Sequence, residues 1–271
     1  MAITTIDGLV AAFASSDLYS IMKFGPGGID GGFLHSQWLA GYSPVAGAIP
    51  TTAATCNSSL AGSIPFTNPV SPALSYLGYF SLHNPFGLSQ PLMGFLKDRL
   101  AHMGGLSGTN TGVQTVGLSV PSGRLASVSL DNVEWYVEGF VALGTTPQTL
   151  TVTYVPTTGG SNTVAIPIVA SFPKARLYRI IPSTAGDVIQ SITSCQLSGS
   201  TGATGNFGFV CARNLAQYGS SSSWLPDTAD PAILGLPEIP DNACLWLSVV
   251  IVTQGGWSGN GCYGLLKIIQ G

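Results

Sequence analysis

Apolar and polar residues alternate along much of the chain after Val113, and this period of two predicts a series of β-strands. In the segment NVEWYVEGFVAL, every second residue from Val133 to Val137 is apolar. The segment TPQTLTVTYV (146–155) alternates in the same way. The turn residues PTTGGSN follow it, so we expect a hairpin with TVAIPIVA (163–170).

Further strands are expected in the other apolar segments of this region, which are VQTVGLSV, ARLYRII, DVIQSITSCQL, NFGFVCARNL, ACLWLSVVIV and GCYGLLKII. About eight short strands separated by Gly, Ser, Thr and Pro turns are typical of a sandwich. The pattern therefore predicts a mainly β protein, an antiparallel β-sandwich with a jelly-roll-like arrangement.

The first hundred residues have a different pattern, and we expect them to form a long, irregular N-terminal arm. Prolines recur there at positions 44, 50, 65, 69, 72, 85 and 91, which disfavours long helices and central strands. One amphipathic helix is predicted over 7–24, and a second, shorter one from Pro91 to His102, ended by two glycines. The expected division is an arm over 1–100, serving as the assembly and contact region, and a β-sandwich domain over 101–271.

Charged residues are scarce, and the arm holds the longest uncharged stretch. They make up 8% of the chain, against roughly 25% in an ordinary soluble domain, and none occurs in the 66 residues between Asp30 and Lys97. The 25 aromatic residues and the net charge of −3 argue against disorder. Such a chain is expected to hide much of its surface against other copies or partners.

Aromatic residues in the arm are too numerous for a free linker, so we interpret them as intersubunit contacts. The candidates are Phe33, Trp38, Tyr42, Phe66, Tyr76, Tyr79, Phe80 and Phe86. Two more aromatics, Tyr218 and Trp224, lie in the segment AQYGSSSSWLPDTADP, which reads as a surface loop. They are candidate exposed loop contacts, with loop anchoring as the alternative. If the arm over 31–96 is an intersubunit clasp, its deletion is expected to leave a folded sandwich that no longer assembles.

Acids and bases that would indicate catalysis are few and badly spaced. His102 lies four residues after Asp98, and we interpret the two as a pair on a helix surface. Glu134 and Glu138 share one face of a strand roughly 13 Å apart, too far for the paired carboxylates of a glycosidase. We expect them to line a solvated or intersubunit face. The sequence predicts no catalytic residue, no metal site and no cofactor.

The five cysteines, Cys56, Cys195, Cys211, Cys244 and Cys262, show no CxxC or zinc-ligand spacing. They are expected to be buried free thiols. A bridge between Cys195 and Cys211 remains an alternative, because the two residues are predicted on neighbouring strands.

Three segments resemble virion structural proteins of tailed bacteriophages. They are LKDRLAHMGGLSGTNTGVQTV, VEWYVEGFVALGTTPQTLTVTYV and LSGSTGATGNFGFVCARNLA, which fall between residues 96 and 216. The resemblance implies a capsid decoration, or cement, protein with a jelly-roll or sandwich fold. It further implies a homo-oligomer, often a trimer, that binds the major capsid protein in the virion and assembles in the host cytoplasm.

Other functions remain as alternatives to the capsid decoration protein. They are a tail, neck or head-fibre component, a carbohydrate-binding adhesion module and, least favoured, a glycan hydrolase. Direct binding to nucleic acid is not expected, because the net charge is −3 and no cluster of Lys and Arg is visible. No apolar segment has the 18 or so residues of a membrane span.

Overall fold

The computed structural model describes residues 3–24, 31–83, 92–124, 129–220, 228–251 and 261–271. Two helices, α1 (Ile6–Ser15) and α2 (Pro231–Leu234), and short 3-10 turns at Ser122–Arg124 and Leu130–Asn132 accompany the strands. The strands are β1 (Leu18–Phe24), β2 (Leu34–Ser36), β3 (Gly41–Ser43), β4 (Ala54–Thr55), β5 (Ser75–His83), β6 (Leu92–Leu106), β7 (Gln114–Ser119), β8 (Val133–Val141), β9 (Gln148–Pro156), β10 (Asn162–Ile168), β11 (Arg176–Ile180), β12 (Ile189–Leu197), β13 (Asn206–Ser220), β14 (Thr228–Ala229), β15 (Glu238–Ile239), β16 (Leu245–Ile251) and β17 (Gly261–Gln270).

These strands pair antiparallel in three sheets, which confirms the prediction of a mainly β fold with antiparallel strands. A seven-stranded sheet has the order β13-β8-β11-β2-β16-β6-β4, and β13 also pairs with β6. This additional pairing closes six of its strands into a barrel. A six-stranded sheet has the order β14-β5-β17-β1-β3, with β15 also paired to β5. A four-stranded sheet has the order β10-β9-β12-β7.

Three buried clusters show how the layers stack, with the barrel in the middle. One cluster joins the barrel to the four-stranded sheet and contains Phe209 and Ile192. A second joins the barrel to the six-stranded sheet and contains Leu247 and Phe80. The third contains side chains from β8, β11, β13 and β16 that alternate with those facing the two sheets, so it fills the barrel itself.

The strands predicted after Val113 are all present, and the predicted β9–β10 hairpin pairs Asn162 with Tyr154. Of the two predicted helices, the first is confirmed in part. The first ends at Ser15, and the residues from Leu18 onward form β1. The second is wrong, because the segment from Pro91 to His102 belongs largely to β6, which β13 and β16 flank on its two edges.

The uncharged segment over 37–74 contains only the short strands β3 and β4, and fixed contacts hold it in place. The Trp38 indole donates a hydrogen bond to the Ala48 carbonyl oxygen at 2.9 Å, and its side chain is 1% exposed. Gly47 and Gly62 pack so closely on this ring that any larger side chain would collide with it or with the adjoining backbone. A hydrogen bond to a backbone carbonyl and close packing on one buried indole therefore hold this segment in place without charged side chains of its own.

Lys23 fixes the same segment from β1. Its ammonium group, 1% exposed, donates hydrogen bonds to the carbonyl oxygens of Ala40, Pro44 and Val45 at 3.1, 2.8 and 3.4 Å. Burial lowers its pKa to about 8, and the nearby Cys262 offsets this only in part.

The expected domain boundary near residue 100 falls inside β6. Strands from both sides of that boundary share sheets, since β5 pairs with β17 along most of its length and β2 pairs with β11 and β16.

Candidate functional site

Three consecutive charged residues, Lys97, Asp98 and Arg99, lie in the middle of β6, whose other residues are apolar or glycine apart from His102. Successive side chains of a strand point to opposite faces, so the two basic residues share one face and the aspartate lies on the other. All three are at most 2% exposed. Charged groups are rarely buried without partners, and each of these has one.

Arg99 forms the centre of the barrel interior. Its Nη2 donates to Glu138 Oε2 at 2.7 Å, and neither side chain has any exposed surface. Its Nε donates to His102 Nδ1 at 3.0 Å. The guanidinium carbon lies 4.5 Å from the Trp38 ring centroid and 5.0 Å from that of Trp246, which are cation–π distances. We call these five residues the Arg99 centre.

Lys97 continues the ionic network from the interior toward the surface. Its Nζ donates to Glu134 Oε2 at 2.7 Å and to the Tyr136 hydroxyl at 3.0 Å. The Tyr136 hydroxyl donates to the same carboxylate oxygen at 2.6 Å. At the outer end, Arg179 Nη2 lies 3.3 Å from Glu134 Oε1, and its side chain is 60% exposed.

Asp98 is held by Arg124, which follows β7. Both carboxylate oxygens accept hydrogen bonds from Arg124 Nη2, at 2.7 and 2.6 Å, and Oδ1 also accepts the backbone N–H of Cys244 at 2.9 Å. Arg124 Nη1 donates to the carbonyl oxygens of Cys56 and Asn242 at 3.1 and 2.9 Å. One arginine thus connects β6 with the segments that precede β16 and follow β4.

The pKa values of these groups are shifted away from pH 7. Burial, and then the positive charge of Arg99, lowers the pKa of His102 to about 3, so its imidazole is neutral. Burial alone would raise the pKa of Glu134, but Lys97, Tyr136 and Arg179 outweigh it and hold that pKa below its usual value. Burial and the Glu134 carboxylate raise the pKa of Tyr136. Such an arrangement keeps charges fixed near pH 7, whereas acid–base chemistry needs groups that titrate there.

The low pKa of His102 predicts acid sensitivity. An unfolded histidine has a pKa near 6.5, so the unfolded state takes up a proton that the folded state refuses, and stability falls as the pH drops below about 6.5. At pH 5 we expect the loss from this residue to be about 2 kcal/mol. Urea unfolding at pH 7 and pH 5 measures it. The H102Q variant keeps a hydrogen-bond acceptor. Between pH 7 and pH 5, its free energy of unfolding should fall by less than that of the wild type.

The half-buried His83 provides a matched control for this measurement. Burial also lowers its pKa, but without the added charge of an adjacent arginine. The free energy of unfolding of H83Q should therefore fall between pH 7 and pH 5 by nearly as much as that of the wild type. An equal pH dependence in the wild type and H102Q would contradict the assignment.

The structure corrects two predictions about these acidic and basic residues. Glu138 does not line a solvated or intersubunit face, because it lies inside the barrel and β8 is covered on both faces. Asp98 and His102 do not form a helix-surface pair, because both are buried on β6. The signal in the sequence was the run of three charged residues within an apolar strand, together with glutamates four residues apart on a second strand.

A surface pocket of about 490 Å³ opens at the outer end of the network. Its wall combines carboxylates, guanidinium groups and amides, from Asp131, Asn132, Glu134, Arg179, Arg213, Asn214, Leu215, Pro237 and Glu238. It brings Glu134 and Glu238 to one site, although they are far apart in sequence. Arg213 donates a long hydrogen bond, 3.5 Å, to the Glu238 carbonyl oxygen.

The candidate contact residues differ widely in exposure. Tyr42 and Phe33 are 68% and 44% exposed, whereas Trp38 and Phe80 are enclosed by the chain's own fold and present no surface to a neighbour. The remaining described candidates are half-buried, and they are Phe66, Tyr76, Tyr79 and Tyr218. Phe86 and Trp224 lie outside the described residues.

Tyr218 belongs to β13 and not to a surface loop. Its ring lies 6.4 Å from that of Phe80 in an edge-to-face arrangement, so it anchors the strand against the six-stranded sheet.

Exposed apolar residues that the sequence reasoning missed lie around α1. Ile6 and Val10 are one helical turn apart and are 80% and 62% exposed, and Leu18 at the start of β1 is 56% exposed. Phe13, seven residues after Ile6 and three after Val10, lies on the same side of α1 and packs against Gly78 of the six-stranded sheet. We call Ile6 and Val10 the α1 patch. Its signal in the sequence is the i, i+4, i+7 spacing of the apolar residues Ile6, Val10 and Phe13 along one short helix.

All five cysteines are buried free thiols, as predicted. Burial raises the pKa of Cys195, Cys211 and Cys262 to about 12. Among the described residues, no helix has the length and apolar character needed to cross a membrane. The same residues contain no group of three or more His, Cys, Asp or Glu side chains arranged for a metal ion.

Comparison with known proteins identifies no family. No family model matches the chain, and no curated protein matches it. Solved structures with some similarity come from infectious bursal disease virus. For the Gx strain, the alignment covers 95% of this chain and 81% of that chain at 10% identity, with a TM-score of 0.18. For T=1 particles derived from this virus, it covers 94% and 78% at 10% identity, with a TM-score of 0.17. TM-scores of this size do not establish a shared fold.

Proposed function

We propose that this protein is a structural component of a virus particle, and specifically a decoration protein that binds and stabilises a bacteriophage capsid through contacts between copies. The observation that carries the proposal is a surface with few charges and a patch of exposed apolar side chains. The β-rich fold and the resemblance of residues 96–216 to phage virion proteins support it.

Burial of charged residues makes the surface poorer in charge than the composition suggests. Four of the nine Lys and Arg residues are buried, namely Lys23, Lys97, Arg99 and Arg176. Asp98 and Glu138 are buried as well. Depletion of charge and enrichment of apolar and aromatic groups mark the core of a protein–protein interface. The α1 patch, with Tyr42 and Phe33 as additional contacts, is the proposed intersubunit surface.

The native mass in solution tests this proposal, and we expect a discrete oligomer. A V10D substitution places a charge in the α1 patch and should shift the mass toward the monomer at equal protein concentration. V113D is the matched control, because Val113 is 67% exposed and precedes β7 of the four-stranded sheet. Size exclusion with light scattering on the wild type and both variants measures the effect.

A wild type that stays monomeric at every concentration would overturn self-association, and an equal effect of V10D and V113D would overturn the placement of the interface. If the protein forms a discrete oligomer, the second measurement is its co-sedimentation with assembled shells of a major capsid protein. Co-sedimentation supports the decoration role, and its absence favours a tail, neck or head-fibre position.

The mixed pocket beside Glu134 favours a second candidate function, a carbohydrate-binding module. Its size falls within the range of small-molecule sites, and its carboxylates, guanidinium groups and amides suit a ligand with many hydroxyl groups. A glycan array with the wild type and R213A tests this function. Binding that is lost in R213A supports it, whereas an array without signal leaves the particle component as the favoured function.

A further inference from the structure

Two cysteines that are far apart in sequence meet on one edge of β6. Strands β4 and β16 both pair with this edge, Thr55 opposite Ala101 and Leu245 opposite Asp98. Both strands are antiparallel to β6, so they run in the same direction, and β16 begins just beyond the point where β4 ends. Cys56 follows β4 and Cys244 precedes β16, so the two residues occupy this junction.

Backbone hydrogen bonds fix both cysteines at consecutive positions of β6. The N–H of Cys56 donates to the Leu100 carbonyl oxygen at 2.9 Å, and the N–H of Arg99 donates to the Cys244 carbonyl oxygen, also at 2.9 Å. Arg124 binds the Cys56 carbonyl oxygen, and its partner Asp98 accepts the Cys244 N–H. One arginine–aspartate pair therefore holds both backbones in place.

The side chains converge as well. Both cysteines belong to the cluster that fills the barrel, and neither has exposed surface. The pKa of Cys244 is raised first by its side-chain interaction with Cys56 and then by burial. The other three cysteines differ, because burial is the main cause of the raised pKa of each.

We propose that Cys56 and Cys244 are a disulfide-forming pair that closes when the protein meets an oxidising environment. The bond would tie the uncharged segment over 37–74, which carries Trp38, to β16, which carries Trp246. A cross-link between residues so distant in sequence restricts the unfolded chain strongly. This inference is independent of the proposed function.

The chemistry requires a disulfide oxidant, and oxidised glutathione is sufficient. One cysteine thiolate attacks a sulfur of oxidised glutathione, which forms a mixed disulfide and releases one glutathione thiolate. The second cysteine, after losing its proton, attacks the cysteine sulfur of the mixed disulfide and releases the second. Two protein thiols are thereby oxidised by two electrons, one oxidised glutathione is reduced, and the two thiol protons pass to the released thiolates.

Oxidative refolding tests the pair without depending on access to the buried thiols. The reduced, unfolded full-length chain is refolded with a mixture of reduced and oxidised glutathione, and its peptides are mapped without reduction. We expect a cross-linked peptide containing Cys56 and Cys244, and a mass lower by two hydrogen atoms. The urea midpoint of the oxidised protein should lie above that of the same protein after reduction.

Three variants make the result specific. C56S and C244S should each refold without this bridge and show no oxidation-dependent rise in the urea midpoint, whereas C195S should behave as the wild type. The peptide map of the wild type remains decisive even if a serine variant folds poorly. Free thiols at both positions, or a Cys195–Cys211 peptide in place of the expected one, would overturn the proposal.

Discussion

Substitution of Arg99 with methionine is expected to lower the free energy of unfolding by about 3–5 kcal/mol, as when one partner of a buried ion pair is removed. Arg99 and Glu138 have no exposed surface, and their charged atoms lie 2.7 Å apart. Methionine replaces part of the arginine volume, so the main effect is an unpaired carboxylate inside the barrel. His102 also loses its hydrogen-bond donor, and Trp38 and Trp246 lose the cation between them.

The double variant R99M/E138M separates charge from packing. Replacing a whole buried ion pair with apolar residues of similar size is often neutral or stabilising, so the double variant should recover most of the stability that R99M loses. E138M alone should also be destabilised, because it leaves the guanidinium group without its counter-charge.

Urea unfolding at pH 7 of the wild type, the two single variants and the double variant completes this cycle. A change in R99M of less than about 0.5 kcal/mol, the range of an ordinary surface substitution, would contradict the assignment of Arg99 as the centre of the barrel. If the double variant were less stable than R99M, the Arg99–Glu138 pair would stabilise the fold by more than the mutual neutralisation of its two charges.

Local pattern was sufficient to predict the strands after Val113, because period-two alternation and turn residues are properties of neighbouring residues. It was not sufficient for β6. The segment LKDRLAH has the composition of an amphipathic helix end, and only its pairing with β13 and β16 makes it a strand. Such pairings join residues more than a hundred positions apart, so they cannot be predicted from the pattern of neighbouring residues.

The candidate site was missed for the same reason. Glu138 looked like a surface residue because one face of an isolated sheet is solvated, whereas the β13–β6 pairing closes the sheet and encloses that face. Trp38 was predicted as an intersubunit contact, but its partners are Ala48 and Arg99 of the same chain. Composition predicts that a surface will be hidden, and it does not say whether a residue is hidden by its own fold or by a neighbour.

Deletion of residues 31–96, which the sequence suggested would leave a folded sandwich, is now expected to abolish folding. It removes β2 and β5 completely and the first residues of β6. β2 links β11 to β16, so its loss opens the barrel, and β17 loses the strand that pairs with most of its length. Circular dichroism and thermal unfolding should show no cooperative transition in the deletion product.

Deletion of residues 1–16 is the matched experiment, because it removes α1 and leaves every strand in place. Only Ala12 of that helix is buried, so the product should unfold cooperatively with a lower midpoint. It also lacks Ile6 and Val10, so the proposed interface predicts a monomer. A cooperative, soluble product of the 31–96 deletion would mean that the segment packs on the fold without supporting it. An oligomer after the 1–16 deletion would place the interface elsewhere, with Tyr42 and Phe33 as the next residues to substitute.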